Sequence, residues 1–170
     1  MTNRVAANII IGRDGSTVLG GTSAALSFPA DRKRFHSLRS EFAAILIGGN
    51  TARNEPYSKT PLPLIVITRS WLPTQIQSNP LALSWQMPLR EAVEKAIKSY
   101  GDLLIEAGPT LIQEGVAGGL IGELFVTVSD SDGGEHPIDI KRLLEEAEEI
   151  SRELVDGGLF LHYRLAPSHL

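Results

Sequence analysis

Hydrophobic residues along this chain fall into two alternating patterns, short continuous runs and stripes at helical spacing. Residues 5–11 form an apolar run rich in β-branched side chains, closed by Gly12-Arg13-Asp14-Gly15, which predicts a buried strand entering a turn. Pro29-Ala30-Asp31 opens a helix that carries Phe35, Leu38 and Phe42 on one face. Residues 43–47 predict a second buried strand, ended by Gly48-Gly49-Asn50-Thr51, and residues 64–68 a third, opened by Pro61 and Pro63. Residues 81–85 fit a short edge strand. After Pro88, the positions Leu89, Val93, Ala96, Ile97 and Tyr100 follow helical spacing. A strand at 103–105, a helix from about Thr110 and a strand at 123–128 continue the alternation.

Strands alternating with helices predict an α/β fold with a mostly parallel central sheet and helices on both faces. The last segment departs from that rhythm. Residues 150–155 and 159–165 flank Asp156-Gly157-Gly158, so an antiparallel C-terminal hairpin is expected to close the sheet. Leu159, Leu161, Tyr163 and Leu165 face one way on a strand read as an exposed edge, which points to pairing with a second copy. The acidic run 145–149 reads as a solvated helix face. No repeat, linker or low-complexity segment interrupts residues 1–170, which read as one domain.

Composition narrows the function classes. With 170 residues, 42% hydrophobic and 21% charged, the chain can bury a core without staples. It has no cysteine, which excludes disulfides and thiolate metal ligands. A formal charge of −4 argues against a nucleic-acid partner, because phosphate backbones demand clustered Lys and Arg. The one cationic cluster, Arg32, Lys33, Arg34 and Arg39, reads as a solvated helix face from which a single arginine can serve a ligand. No apolar stretch approaches the roughly 20 residues of a membrane span. The start, Met1-Thr2-Asn3-Arg4, runs into a strand-like segment rather than a signal peptide, so a cytoplasmic protein is expected. His36, His136, His162 and His169 lack metal-ligand spacing, and no metal is expected. His162 reads as a sheet-face residue, and Asp14 as a turn former beside its glycine.

The chemistry concentrates in Leu103-Leu104-Ile105-Glu106-Ala107-Gly108-Pro109-Thr110-Leu111. Pro109 suits the first turn of a helix, where its missing N–H would be unpaired anyway. The free N–H groups of that turn, with the helix dipole behind them, favour a phosphate, and Gly108 lets it approach the backbone. The alternative is an ordinary strand-to-helix loop. Glu106 follows three apolar residues at a strand's carboxyl end, where open α/β sheets bind ligands. Its alternative is a structural salt bridge.

These turns line up in order with one family. The chain resembles the reductase domain, the C-terminal half, of the bifunctional deaminase/reductases of riboflavin biosynthesis, which has the dihydrofolate-reductase-like fold. The resemblance rests on Gly12-Arg13-Asp14-Gly15, Leu38-Arg39 before the strand 44–47, and the Gly48, Thr51, Arg53, Glu55 spacing. It continues through Glu106 to Leu111, Gly119-Leu120-Ile121-Gly122-Glu123-Leu124 and Leu161-His162-Tyr163-Arg164. Gly12 stands where the family has Ser, Ser16 where a Lys or Arg often follows, and the segments 68–103 and 129–136 are shorter than in the family.

The resemblance implies NADPH as cofactor and, as substrate, a phosphorylated ribosylaminopyrimidine whose sugar is opened to a ribityl chain. It implies that Gly108, Pro109, Thr110 and Leu111 hold the cofactor's phosphates, that Thr51 gives it a hydroxyl, and that Glu55 lies near the nicotinamide. Thr51 as a helix N-cap and Glu55 as a surface carboxylate are the alternatives. On the substrate side it implies Glu106 on the pyrimidine, Arg39 on the phosphate, and Ser23 and Ser27 in a contacting loop. Arg39 as a helix-end cation is the alternative. Arg53 and Arg69 are the nearest candidates to read a 2′-phosphate, and relatives imply a homodimer. The zinc deaminase is excluded, since its motif needs cysteines. Two other readings stay open. One is a same-fold reductase of another small heterocycle; for dihydrofolate Asp31 is the one acid near the first helix's start, and the basic residues that follow it disfavour folate. The other is a shortened, non-catalytic nucleotide-binding relative.

Overall fold

A computed structural model describes residues 2–166; His169 lies outside them. In chain order the elements are β1 (Val5–Ile11), α1 (Pro29–Arg39), β2 (Ala44–Gly48), α2 (Gly49–Asn54), β3 (Leu64–Ile67), α3 (Thr74–Gln77) and β4 (Ala82–Trp85). They continue as α4 (Leu89–Tyr100), β5 (Leu103–Ile105), α5 (Pro109–Ala117), β6 (Glu123–Ser129), α6 (Ile140–Leu143), β7 (Glu148–Val155) and β8 (Gly158–Arg164).

The strands form one eight-stranded sheet, ordered β4-β3-β2-β5-β1-β6-β8-β7. From β4 to β6 all pairs are parallel; β8 joins β6 and β7 antiparallel. The α/β fold with its antiparallel end is the expected one. Strands covered on both faces read as unbroken apolar runs, and every residue of β2 and β5 is buried. On one face Leu89, Val93 and Ala96 of α4 and Ile112 of α5 pack on Leu46, Ile65, Leu103 and Ile105. On the other, Leu38 of α1 packs with Leu104 and Phe125, while Ala52 of α2 and Ile76 of α3 meet Ile45, Ile47, Leu64 and Val66.

Several expectations need correction. The first helix ends at Arg39, so Phe42 reaches the core from the following turn, and Phe35 lines a cleft instead of joining the core. The Gly48-Gly49-Asn50-Thr51 segment is the end of β2 plus the first turn of α2, a helix too short to announce itself by periodicity. The acidic run is not a helix face. It leads into β7, where Glu148 pairs with Arg164 at 2.8 Å and Glu149 with Arg152 at 2.9 Å. The exposed edge is β7, not β8. β8 lies between β6 and β7, and Leu161, Tyr163 and Leu165 are buried in the chain's own core.

The order of connections positions a site. β2 and β5 are hydrogen-bonded neighbours, yet α2 leaves β2 over one face and α5 leaves β5 over the other. Such a reversal opens a crevice beyond the carboxyl ends of the strands.

Candidate active site

A cleft of about 1240 Å³ opens at that reversal. Ser23, Arg39, Thr51, Glu55 and Glu106 all line it, and so do Gly108, Pro109, Thr110 and Leu111. Residues far apart in sequence therefore face one space.

At the floor, Arg39 at the end of α1 meets Glu106 just past β5. Arg39 Nε donates to Glu106 Oε1 at 2.8 Å and Nη2 to Oε2 at 2.7 Å. Tyr57 adds its hydroxyl to Oε2 at 2.7 Å. All three residues are buried. Buried charges are tolerated when paired and hydrogen-bonded, and parallel forks are the strongest such arrangement. The guanidinium carbon lies over Phe35, 4.2 Å from its ring centre, with the Tyr57 ring centre at 5.4 Å. Burial, then the Glu106 carboxylate, push the Tyr57 hydroxyl well above its ordinary value, so it stays a donor. Burial pulls the Arg39 guanidinium down, and the bonds to Glu106 outweigh it. The salt bridge weighed for Glu106 is present, and its partner is the arginine read as a helix-end cation or a phosphate ligand. Arg39 also lines the cleft beside the carboxylate it holds.

Above this floor two helices begin side by side. α2 starts from Gly48 and α5 from Gly108, neither with a side-chain cap nor an acid in its first turn. Thr51 is therefore not an N-cap; it sits inside α2, and its carbonyl accepts the Glu55 N–H. A Cβ on Gly108 would meet nothing within 4 Å, so its face toward the cleft is clear. A Cβ on Gly48 would press on Leu111 Cδ1 at 2.5 Å, which is why these two helix starts can approach. Glu55 accepts the Ser23 N–H at 2.7 Å. Arg53 and Arg69, with Thr68 and Ser70, line a side pocket of about 300 Å³.

Sequence reasoning missed Tyr57, whose sole signal is an aromatic residue after Pro56 in a polar loop. Asp31 is buried, lines the cleft and accepts the Ser27 hydroxyl at 2.6 Å. Asp14 is a turn former, as expected. It accepts the Ser16 hydroxyl at 2.6 Å and the Gly133 N–H at 2.7 Å. His162 stacks on Phe125 and meets Glu123 at 2.9 Å, as a sheet-face residue. Among the described residues no group of side chains has metal-site geometry, and no helix is long and apolar enough to cross a membrane.

Residues 4–130 match the family model of the RibD C-terminal domain. No curated protein matches the chain. Among solved structures, a pyrimidine reductase-like protein from Corynebacterium diphtheriae superimposes with a TM-score of 0.78 at 16% identity, over 98% of this chain and 93% of that one. RibD of Acinetobacter baumannii gives 0.76 at 18% identity, over 97% of this chain and 58% of its own. A diaminohydroxyphosphoribosylaminopyrimidine deaminase/5-amino-6-(5-phosphoribosylamino)uracil reductase from Thermotoga maritima gives 0.73 at 14%, over 97% and 57%. This chain thus spans little more than half of the last two. At such identities the likeness is one of fold, and the fold is the expected dihydrofolate-reductase-like one.

Proposed function

The chain belongs to the RibD C-terminal domain family, and from that premise we propose that it is an NADPH-dependent oxidoreductase of riboflavin biosynthesis. Its substrate is a phosphorylated ribosylaminopyrimidine, reduced to the ribitylamino form. One observation carries the reading: a single cleft combines two uncapped helix starts, at Gly48 and Gly108, with a buried carboxylate, Glu106.

The residues present fit the cofactor. First-turn N–H groups of a helix have no intrahelical acceptor, and those of Thr110 and Leu111 would hold its phosphates beside the clear face of Gly108. Arg53 and Arg69 at the side pocket would meet a further phosphate. When bound, NADPH supplies the hydride. The chain's part is to bind, orient and exclude water, so that proximity carries much of the rate. Glu106, fixed by Arg39 and Tyr57, keeps a lone pair on Oε1 for one ring N–H.

Thermal melting tests the cofactor. NADPH is expected to raise the melting temperature more than NADH at equal saturation; equal shifts would remove the preference, and no shift from either would favour a ligand-free relative. A second reading, a same-fold reductase of another heterocycle, is favoured by Asp31, a buried carboxylate on the cleft wall. Turnover with dihydrofolate but not with the ribosylaminopyrimidine would select it. The proposal includes a homodimer formed along the β7 edge, where Leu154 is 85% exposed. Light scattering at the monomer mass of 18.4 kDa would end that part.

A further inference from the structure

The turn formed by residues 19–25 is a wall of the cleft, contributing Gly21, Ser23 and Ala24. It reverses through Gly20 and Gly21, at φ of 62° and 88°, left-handed conformations that side chains rarely adopt. Its other bonds are local: Leu19 N–H donates to the Thr22 carbonyl at 3.0 Å, Leu26 N–H to the Ser23 carbonyl at 3.0 Å and Ser27 N–H to the Ala24 carbonyl at 3.2 Å. On either side it is anchored, by the Val18–Glu135 bridge before it and by buried Leu26 after it. Between these anchors, among the described residues, one long-range hydrogen bond ties the turn to the rest of the protein: Ser23 N–H to Glu55 Oε1, 2.7 Å, across 32 residues.

Glu55 is the C-cap residue of α2, the helix whose other end opens on the cleft at Gly48. A charged acceptor on a backbone N–H is worth more than a neutral one, typically about twofold in strength. We propose that Glu55 is a positioning residue, a clasp that holds the Gly20–Gly21 turn closed against the cleft and acts on the ligand through that turn. This rests on the cleft being the ligand site, as proposed above. It replaces direct contact with the cofactor as the reason for an acid at this position. Once that bond is lost, no other long-range hydrogen bond among the described residues holds residues 19–25 against the cleft.

Hydrogen exchange on the ligand-free protein, with Glu55→Ala and Glu55→Gln, tests the clasp without any turnover. Loss of a hydrogen bond to a charged group should raise exchange of the Ser23 and Leu19 amides, the two in the turn that donate, about 10-fold or more in Glu55→Ala, with the β2 and β5 amides unmoved. Glu55→Gln, whose amide oxygen still accepts, should keep that protection within a few-fold. NADPH affinity, read by calorimetry, should fall in Glu55→Ala and recover in Glu55→Gln. Unchanged exchange in Glu55→Ala overturns the clasp. So does equal loss of affinity in both variants with the turn still protected, which marks a direct charged contact. Failure of wild-type protein to bind NADPH would overturn the reductase reading, while the exchange result would still decide the clasp.

Discussion

Arg39 and Glu106, 67 residues apart in sequence, close on each other as two parallel forks at the floor of the cleft. The resemblance gives them separate tasks, the phosphate for one and the ring for the other. The geometry makes them one unit, in which Nε and Nη2 of the arginine are committed to the carboxylate. Removing one partner of a buried pair leaves an uncompensated charge, at a cost of about 3–5 kcal/mol.

Glu106→Gln should therefore do two things. Affinity for the pyrimidine should weaken by about 10- to 150-fold, the equivalent of losing a hydrogen bond to a charged group of about 1.5–3 kcal/mol. The melting temperature should also fall, because Arg39 loses its counter-charge. NADPH affinity should persist, since backbone N–H groups beyond Glu106 would hold the phosphates. Unchanged pyrimidine affinity in a folded variant would remove Glu106 from the site.

Tyr57 should be silent in an alkaline titration. Burial and the Glu106 carboxylate raise its folded value well above the ordinary 10.0. A raised value favours the protonated form, so the stabilisation is full below pH 10.0 and is lost as pH rises through the folded value. Ultraviolet titration of the three tyrosines should find one that ionises only with unfolding, and Tyr57→Phe should abolish that step. A late step that survives the substitution would contradict the assignment.

Asp14 should act at the opposite end of the pH scale. The Ser16 hydroxyl, then the Ser16 and Gly133 N–H groups, hold it at about 2 against an ordinary 3.8. A folded value below the unfolded one means the contribution is full above pH 3.8 and is lost as pH falls through about 2. The melting difference between wild type and Asp14→Asn should be constant near neutrality and shrink across that window. A difference that holds steady down to pH 2 would rule this out.

How much of this was legible in the sequence follows from the range of each signal. Buried strands declared themselves as apolar runs because both faces of β2 and β5 are covered. α2, α3 and α6, of four to six residues, are too short for a helical stripe to repeat. The alternation in β8 correctly marks one buried face, but which hairpin strand is interior depends on pairing with β6, a long-range contact. The anion-site chemistry of Glu106 to Leu111 was legible locally, whereas Ser23, Arg39, Thr51 and Glu55 were candidates through the family resemblance alone. That Arg39 and Tyr57 both serve Glu106 was not legible, because the contact spans 67 and 49 residues.

The most direct test of the reductase reading is a single assay: purified protein, NADPH and 5-amino-6-(ribosylamino)uracil phosphate, followed by the near-ultraviolet absorbance of the reduced nicotinamide. The account predicts a substrate-dependent loss of that absorbance with a ribityl product, abolished or strongly slowed in Glu106→Gln. Protein that is stabilised by NADPH yet leaves the absorbance unchanged in the presence of that substrate would contradict it.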